Sequence, residues 1–389
     1  MSSYYLMHKD LICGTMVVAD DDASLMGYHD AGNGASPYLG MATLENMKVW
    51  WKNRAIPSGR DHIKALVHQL SVTGSEDYLA KNLALSVTDT YWICPVDVQL
   101  RYEDINFFSL KDYGDGRIPF HHLSSYDPNA SLGGQMEKYW DLNDEVPVLV
   151  KEGYKYYGQQ SVNEYLATKI HEAQNNGILY TRYTCEDTDD GGKACKCKAF
   201  TSPDVEFVSA YEVLGSRKVS NDQSGYEAFI NICVDNGIDK NQIQEYMDYQ
   251  TAIDFIISNT DEHLLNFGVL RDANTMRLLA PAPIFDSGNS MFFADVMKRP
   301  FTRVELLGRE ITSFYKTEEK MLAHVRNRNV VKLDLLPSPR EIKDIYCSYG
   351  MPEERAEVIA ANYETKVAMF RDFQKGMTIS LFHEKKANL

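Results

Sequence analysis

What most restricts the folds open to this chain is a long helix that empties into two polar loops, with a strand pair between them. From Asp239 to Ser258 apolar residues return at helical spacing, at Ile243, Tyr246, Met247, Ile253 and Ile257, and the pattern stops at Ser258-Asn259. Ser258 to Phe293 then reads SNTDEHLLNFGVLRDANTMRLLAPAPIFDSGNSMFF. The first polar loop carries Asp261, His263 and Asn266. Short strands are expected at Phe267 to Leu270 and Arg277 to Leu279, and an apolar run ends in a second polar loop at Phe285-Asp286-Ser287-Gly288.

The chemistry that calls for these residues in this order is phosphoryl transfer. One carboxylate, Asp261, accepts or orients the proton of an attacking hydroxyl. An Asn and a second Asp, Asn266 and Asp286, are hard oxygen donors suited to holding Mg²⁺ against nucleotide phosphates. Gly288 lets the backbone turn beside the metal. Singly, Asp261 reads equally well as a turn cap, Asn266 as a left-handed turn residue and Asp286 as a loop start. The three roles together favour a site.

The rest of the chain reads in three stretches: an accessory region at 1–126, a strand-rich 127–203 and a helical 204–389. The first opens on an irregular Gly- and Asp-rich run (ADDDASLMGYHDAGNGASP), followed by helices at Leu44 to Arg54 and Ser58 to Leu70 and a strand at Tyr91-Trp92-Ile93. The second holds strands at Pro147 to Lys151, Ile178 to Cys185 and Lys196 to Phe200 around a helix from Asn163 to Ala173. Helices are expected at Ser220 to Asn236, Asp239 to Ser258, Pro339 to Tyr349 and Glu353 to Lys375. Strands followed by helices, with a mixed region first, give an α+β chain of two lobes.

Composition narrows the function classes. Hydrophobic residues at 44% and charged ones at 24% are those of a globular protein. No run approaches the ~18 apolar residues of a membrane-spanning helix, and no basic stretch precedes the N-terminal apolar patch, so neither a membrane span nor a secretory signal is expected. Forty basic residues against 55 acidic ones leave a net charge of −15, which argues against direct nucleic-acid binding. Seven scattered cysteines fit a reducing cytoplasm better than a disulfide framework.

A kinase reading makes demands upstream: a glycine loop, a strand lysine for the phosphates and a helix glutamate to hold it. Asn129 to Lys138 (NASLGGQMEK) is a polar loop bearing Gly133 and Gly134. Lys151 ends the run PVLV, and Glu164 opens a helix 13 residues later. Lys138 competes with Lys151 for the phosphate role.

These residues resemble the HipA-like serine/threonine kinases. Ser131-Leu132-Gly133-Gly134-Gln135-Met136-Glu137-Lys138 is similar to that family's Ser-x-Ala-Gly-Ala-Gln-x-Lys loop, with one extra residue before the lysine. Asp261 to Asn266 and Ala280 to Asp286 look like its catalytic and metal segments, with Phe285 where the family usually has Tyr. Asn163-Glu164 also looks similar. The likeness covers about residues 127–300, and the first 126 do not look like the family's N-terminal subdomain. The resemblance implies a bilobal protein-kinase-like fold with a mixed N-terminal extension, ATP and Mg²⁺ as cofactors, and transfer to Ser or Thr of a protein substrate. It implies Asp261 as catalytic base, Asn266 and Asp286 as metal ligands, and Lys151 on the phosphates. Ser131, Gly133, Gly134, Gln135 and Lys138 would form the loop over the nucleotide, Ser131 being open to autophosphorylation that switches ATP binding off. Lys198 and Phe200, in the Cys197 to Phe200 hinge, would lie against adenine. An antitoxin-like partner, as in toxin–antitoxin pairs, comes with the resemblance.

Other residues have plainer readings. His263 is expected to orient the catalytic loop through backbone carbonyls. Cys185, Cys195 and Cys197 lack a C-x₂-C pair and read as structural thiols. Trp50, Trp51, Tyr91 and Trp92 read as core. Arg54 and Arg60 are candidates for docking an acidic partner, and His121-His122 as loop. Two further functions stay open: a lipid or small-molecule kinase with a similar catalytic loop, and a non-catalytic pseudokinase that binds a partner.

Overall fold

The alternation in SSYYLMH and LICGTMVV puts Leu6, Cys13, Met16 and Val18 on one face, and burying that face needs paired strands. The computed structural model describes residues 1–60, 72–109, 126–134 and 136–387. In it, β1 (Ser2–His8), β2 (Leu11–Val18), β3 (Leu25–Asp30) and β4 (Tyr91–Pro95) form an antiparallel sheet of order β3-β2-β1-β4. The Gly- and Asp-rich run expected to be irregular is therefore partly a strand. Ala23 turns the chain at φ +55°, Asp22 accepts from the Ser24 amide, and Leu25 enters the core. Gly27 lies opposite Val17 across the ladder.

The chain divides into two units. The first comprises Met1–Lys151, Lys198–Asp222 and Val269–Leu279, the second Glu152–Cys197, Gln223–Gly268 and Ala280–Leu389. In the first unit the Leu44–Arg54 helix starts where the Thr43 hydroxyl caps the Asn46 amide, and it buries Met47, Trp50 and Trp51 against Leu6, Met16 and Tyr91. The aromatic cluster is core, as expected. Antiparallel β5 (Lys138–Asp141) and β6 (Val148–Gly153) set Lys138 opposite Lys151. β9 (Val205–Ser209), β10 (Gly268–Asp272) and β11 (Leu278–Pro281) form a sheet with β10 in the centre.

At the centre of this unit Glu206 is fully buried. Its Oε1 accepts from the Thr90 amide and His8 Nε2, both at 2.9 Å, and its Oε2 accepts from Arg271 Nε at 3.0 Å. Burial alone would raise its pKa, but the Arg271 guanidinium, helped by His8 and Thr90, holds the carboxyl well below the usual carboxylate range.

The second unit is mainly helical. The Gln159–Gln174 helix begins earlier than expected, directly after Gly158, whose φ of +68° closes a left-handed turn. The Gly225–Asp235 helix begins later than expected because Ser224 and Glu227 form a reciprocal cap. Asp239 caps the Lys240–Ile257 helix. The Pro339–Ser348 and Glu353–Gln374 helices follow expectation. Ile178 to Cys185 is not a strand over its length. Tyr180 bridges Ile284 through Thr181 N–H to Ile284 O (2.8 Å) and Ile284 N–H to Leu179 O (2.9 Å), and β7 (Thr184–Asp187) starts only at Thr184, paired with β8 (Lys193–Lys198). That bridge fixes the chain two residues before Asp286.

The Ser58 to Leu70 helix beyond Arg60, the His121-His122 pair and Gln135 lie outside the described residues. Among the described residues no helix is long and apolar enough to cross a membrane.

Candidate functional site

In the second unit the Lys240–Ile257 helix stops because Ser258 turns left-handed, at φ +54°, and the loop it releases folds back on itself. The Asn266 amide donates to the His263 carbonyl at 2.7 Å, and Asn266 Nδ2 to the Asp261 carbonyl at 2.8 Å. The Asn266 side-chain nitrogen is thereby committed to the loop's own backbone. Asp261 Oδ2 accepts from Asn289 Nδ2 at 2.7 Å, so the first polar loop is tied to the second across 28 residues of sequence. The Met291 amide donates to Ile257 O at 2.7 Å and reinforces the tie.

The second loop is strained and strongly held. Asp286 stands at φ +64°, Met291 at +52° and Phe292 at +63°, conformations that cost a non-glycine residue about 1 kcal/mol or more and persist only under constraint. The constraint is one face of the Gln159–Gln174 helix. Glu164 Oε2 accepts from the Ser287 amide (2.9 Å), Asn163 Nδ2 donates to Gly288 O (2.8 Å) and Ser290 O (2.7 Å), and Gln159 Nε2 donates to Met291 O (2.8 Å). Asn163 is itself set by Tyr346, whose hydroxyl donates to its Oδ1 at 2.7 Å. Asn163-Glu164 thus acts as the clamp of the Asp286 loop.

Behind the first loop lies a cavity of about 20 Å³, lined in part by Thr251, Asp254, Asn259, Glu262 and Glu318. Asn259 Nδ2 donates to both Asp254 Oδ1 (3.0 Å) and Glu262 Oε2 (3.2 Å), and Gln250 Nε2 to Glu262 Oε1. Burial pushes the Asp254 carboxyl up to about 7, with Glu318 adding to it. Burial also raises Glu262 well above the carboxylate range, and the negative charges of Asp254, Asp286 and Asp261 push the same way. Glu262 sits between Asp261 and His263 in sequence, so a buried carboxyl held by Gln250 and Asn259 anchors the loop from within.

His263 differs from expectation: its Nδ1 accepts from the Leu265 amide at 3.3 Å, so it orients the loop through a backbone N–H and not a carbonyl.

In the first unit Ser131 ends a short 3₁₀ turn (Pro128–Ser131), and its buried hydroxyl has no hydrogen-bond partner among the described residues. Gly134 has φ +84°, and a Cβ there would stand 2.6 Å from Lys138 Nζ, so the ammonium folds back over the loop. Arg60, 1% exposed, donates to the carbonyls of Gly133 (2.5 Å) and Gly134 (2.8 Å). Lys151 is 2% exposed. Phe200 meets Phe207 edge to face at 5.8 Å, and Lys198, the last residue of β8, is exposed. The docking role expected for Arg54 and Arg60 is overturned. Arg54 is buried on Asp89 (2.7 and 2.8 Å) and on the carbonyls of Ala84 and Tyr91, and Arg60 is spent on the glycine loop.

Cys185 lies opposite Cys195 in the β7–β8 ladder, and burial pushes the Cys185 thiol up to about 12, which suits a structural thiol. Among the described residues no three His, Cys, Asp or Glu side chains converge as a metal site. Mg²⁺ asks for less, since one or two carboxylates plus substrate phosphates hold it. Asp286 and the Asn266 side-chain oxygen fit that demand. Sequence reasoning missed Asn289, Gln160, Asn259 and Glu262. The signal available was the crowding of amide side chains around the two acidic loops.

No family model and no curated protein sequence matches the chain. Among solved structures, HipA of Shewanella oneidensis MR-1, in a toxin–antitoxin complex with HipB and operator DNA, superposes with a TM-score of 0.54 at 14% identity, covering 96% of this chain and 98% of that one. The Helicobacter pylori proinflammatory kinase CtkA aligns with a TM-score of 0.45 at 16% identity, over 64% of this chain and 94% of that one. The first likeness establishes the fold: this chain is built like HipA.

Proposed function

From that fold we propose that the protein is an ATP- and Mg²⁺-dependent phosphotransferase of HipA-like type acting on Ser or Thr hydroxyls. The observation that carries this is the 2.7 Å bond from Asn289 Nδ2 to Asp261 Oδ2, which joins the loop of Asp261 and Asn266 to the loop of Asp286. Three residue types that phosphoryl transfer needs together, far apart in sequence, stand on two adjoining loops.

In this reading Asp261 takes the proton of the acceptor hydroxyl. Asn266 and Asp286 would hold Mg²⁺, which when bound neutralises phosphate charge. Lys151 or Lys138 contacts the phosphates, and the loop through Ser131, Gly133 and Gly134 covers them. Arg60 draws two loop carbonyls to one side, which favours the loop amides facing the other way. Phosphorylation of Ser131 would require its buried hydroxyl to emerge, and the added charge would then keep the loop from closing on ATP. A partner of the HipB kind fits the same reading. The expected absence of nucleic-acid binding gains no support from a neighbour solved on operator DNA.

The test is incubation of the purified chain with labelled ATP and Mg²⁺, followed by phosphosite mapping on the protein and on added lysate. Metal-dependent label on Ser or Thr is expected. Absence of any transfer, with ATP bound, overturns the reading.

A further inference from the structure

Asn289, on the second polar loop, touches both the first loop and the helix that clamps the two. Its Nδ2 donates to Asp261 Oδ2 at 2.7 Å, and its Oδ1 accepts from Gln160 Nε2 at 2.8 Å. Its backbone carbonyl accepts from the Thr260 amide (3.4 Å) and hydroxyl (3.3 Å). Gln160 fixes the carboxamide the right way round: with Oδ1 taken by an N–H donor, the amide nitrogen is the end that faces Asp261.

We propose that Asn289 is the positioning residue for the base. It holds the Asp261 carboxylate by Oδ2 and leaves Oδ1, which has no hydrogen-bond partner among the described residues, as the oxygen that takes the proton. The inference rests on the kinase reading. In the transfer it serves, the acceptor O–H proton passes to Oδ1 and the hydroxyl oxygen bonds the γ-phosphorus. The bond from that phosphorus to the β–γ bridging oxygen breaks, and ADP leaves with its electron pair.

A carboxylate on a loop has two oxygens and a free χ2, so without Asn289 either could turn to the substrate and the loop could drift. A misplacement of about 1 Å costs about a hundredfold in rate. Asn289 touches neither nucleotide-binding lysine nor the proposed metal ligands, so its loss acts on the chemical step and spares ATP affinity.

The test uses the full chain with Mg·ATP in steady-state transfer. Asn289→Asp is nearly isosteric and keeps an oxygen for Gln160 but loses the donor to Asp261. It should lower kcat about 10- to 100-fold with KM for ATP within about twofold of wild type. Asn289→Ala should do the same, and Gln160→Ala, which removes only the outer support, should lose less. The double variant Asp261→Asn/Asn289→Ala should be no slower than Asp261→Asn alone, since the residues act through one another. A melting temperature near wild type in Asn289→Asp excludes general damage, and if Asn289→Ala alone fails to fold, Asn289→Asp carries the decision. Wild-type kcat in Asn289→Asp, or losses that multiply in the double variant, overturn the proposal while leaving Asp261 as base. Full turnover in Asp261→Asn instead removes the base assignment, and this inference falls with it.

Discussion

At the scale of single residues, the candidate site rests on supporting side chains as much as on those proposed to act. Asp261 is placed by Asn289, Asn266 by its own bond to the Asp261 carbonyl, and the Asp261–Asn266 loop by two buried acids behind it. The acids carry a testable consequence. Asp254 keeps its proton in the folded protein up to about pH 7, whereas in the unfolded chain it ionises near the ordinary value of 3.8. The folded state therefore binds more protons between those limits, and stability attributable to Asp254 is lost as pH rises through that window. Asp254→Asn removes the penalty, so its melting temperature relative to wild type should climb between pH 5 and pH 8. A difference that stays flat would mean Asp254 is ionised throughout. At Asp286 the backbone is left-handed, and a carboxylate there is retained at a conformational cost. Asp286→Asn should weaken Mg·ATP binding, read by calorimetry, and leave nucleotide binding without metal little changed.

At the scale of elements, the glycine loop separates two lysines that sequence alone leaves in competition. Lys138 and Lys151 are cross-strand neighbours, but Lys151 is almost wholly buried whereas Lys138 bends back over Gly134. If Lys151 carries the phosphate contact, Lys151→Ala should raise the Kd for ATP about tenfold or more and Lys138→Ala should act mildly. Equal damage moves the role to the loop. Arg60→Ala should loosen the same loop by releasing the Gly133 and Gly134 carbonyls, raising KM for ATP with little change in kcat, and steady-state kinetics would read this. Several elements were legible in sequence for local reasons. The Leu44–Arg54 helix has its Thr43 cap, the Lys240–Ile257 helix its apolar stripe and Asp239, and the hairpin after Asn266 its alternation. The three N-terminal strands were not, because Gly27 and the Asp-rich turn lie in a run that reads as irregular, while the pairing of β1 with β4, as of Leu6 with Ile93, joins residues far apart in sequence. Ile178 to Cys185 failed the opposite way: its apolar residues serve a single bridge to Ile284. Asp261, Asn266 and Asp286 could be singled out from residue type and order, and the structure sets them on two loops joined through Asn289. Asn289 and Gln160 could not, since an amide's role is set by what it touches.

At the scale of the whole molecule, each of the two units has its own buried ion pair. In the first, Glu206 is clasped by Arg271, His8 and Thr90; in the second, Lys366 bonds Glu318, and burial lowers the Lys366 ammonium to about 8 despite that partner. Removing one member leaves a buried charge without its counterion, so Glu206→Gln should cost about 3–5 kcal/mol in denaturant unfolding. Because the Glu206 carboxyl is depressed, that contribution is present above its unfolded value and fades as pH falls below about 4. A cost under about 1 kcal/mol would show that Arg271 finds compensation elsewhere.

The central claim of the proposed function is that Asp261 is the base of a phosphoryl transfer. Its most direct measurement pairs ATP binding with label transfer in Asp261→Asn. The account predicts Mg·ATP affinity within a fewfold of wild type together with loss of transfer by at least about a hundredfold, since the base acts on the acceptor and not on the nucleotide. Undiminished transfer by Asp261→Asn, with the protein folded and ATP bound, would contradict it.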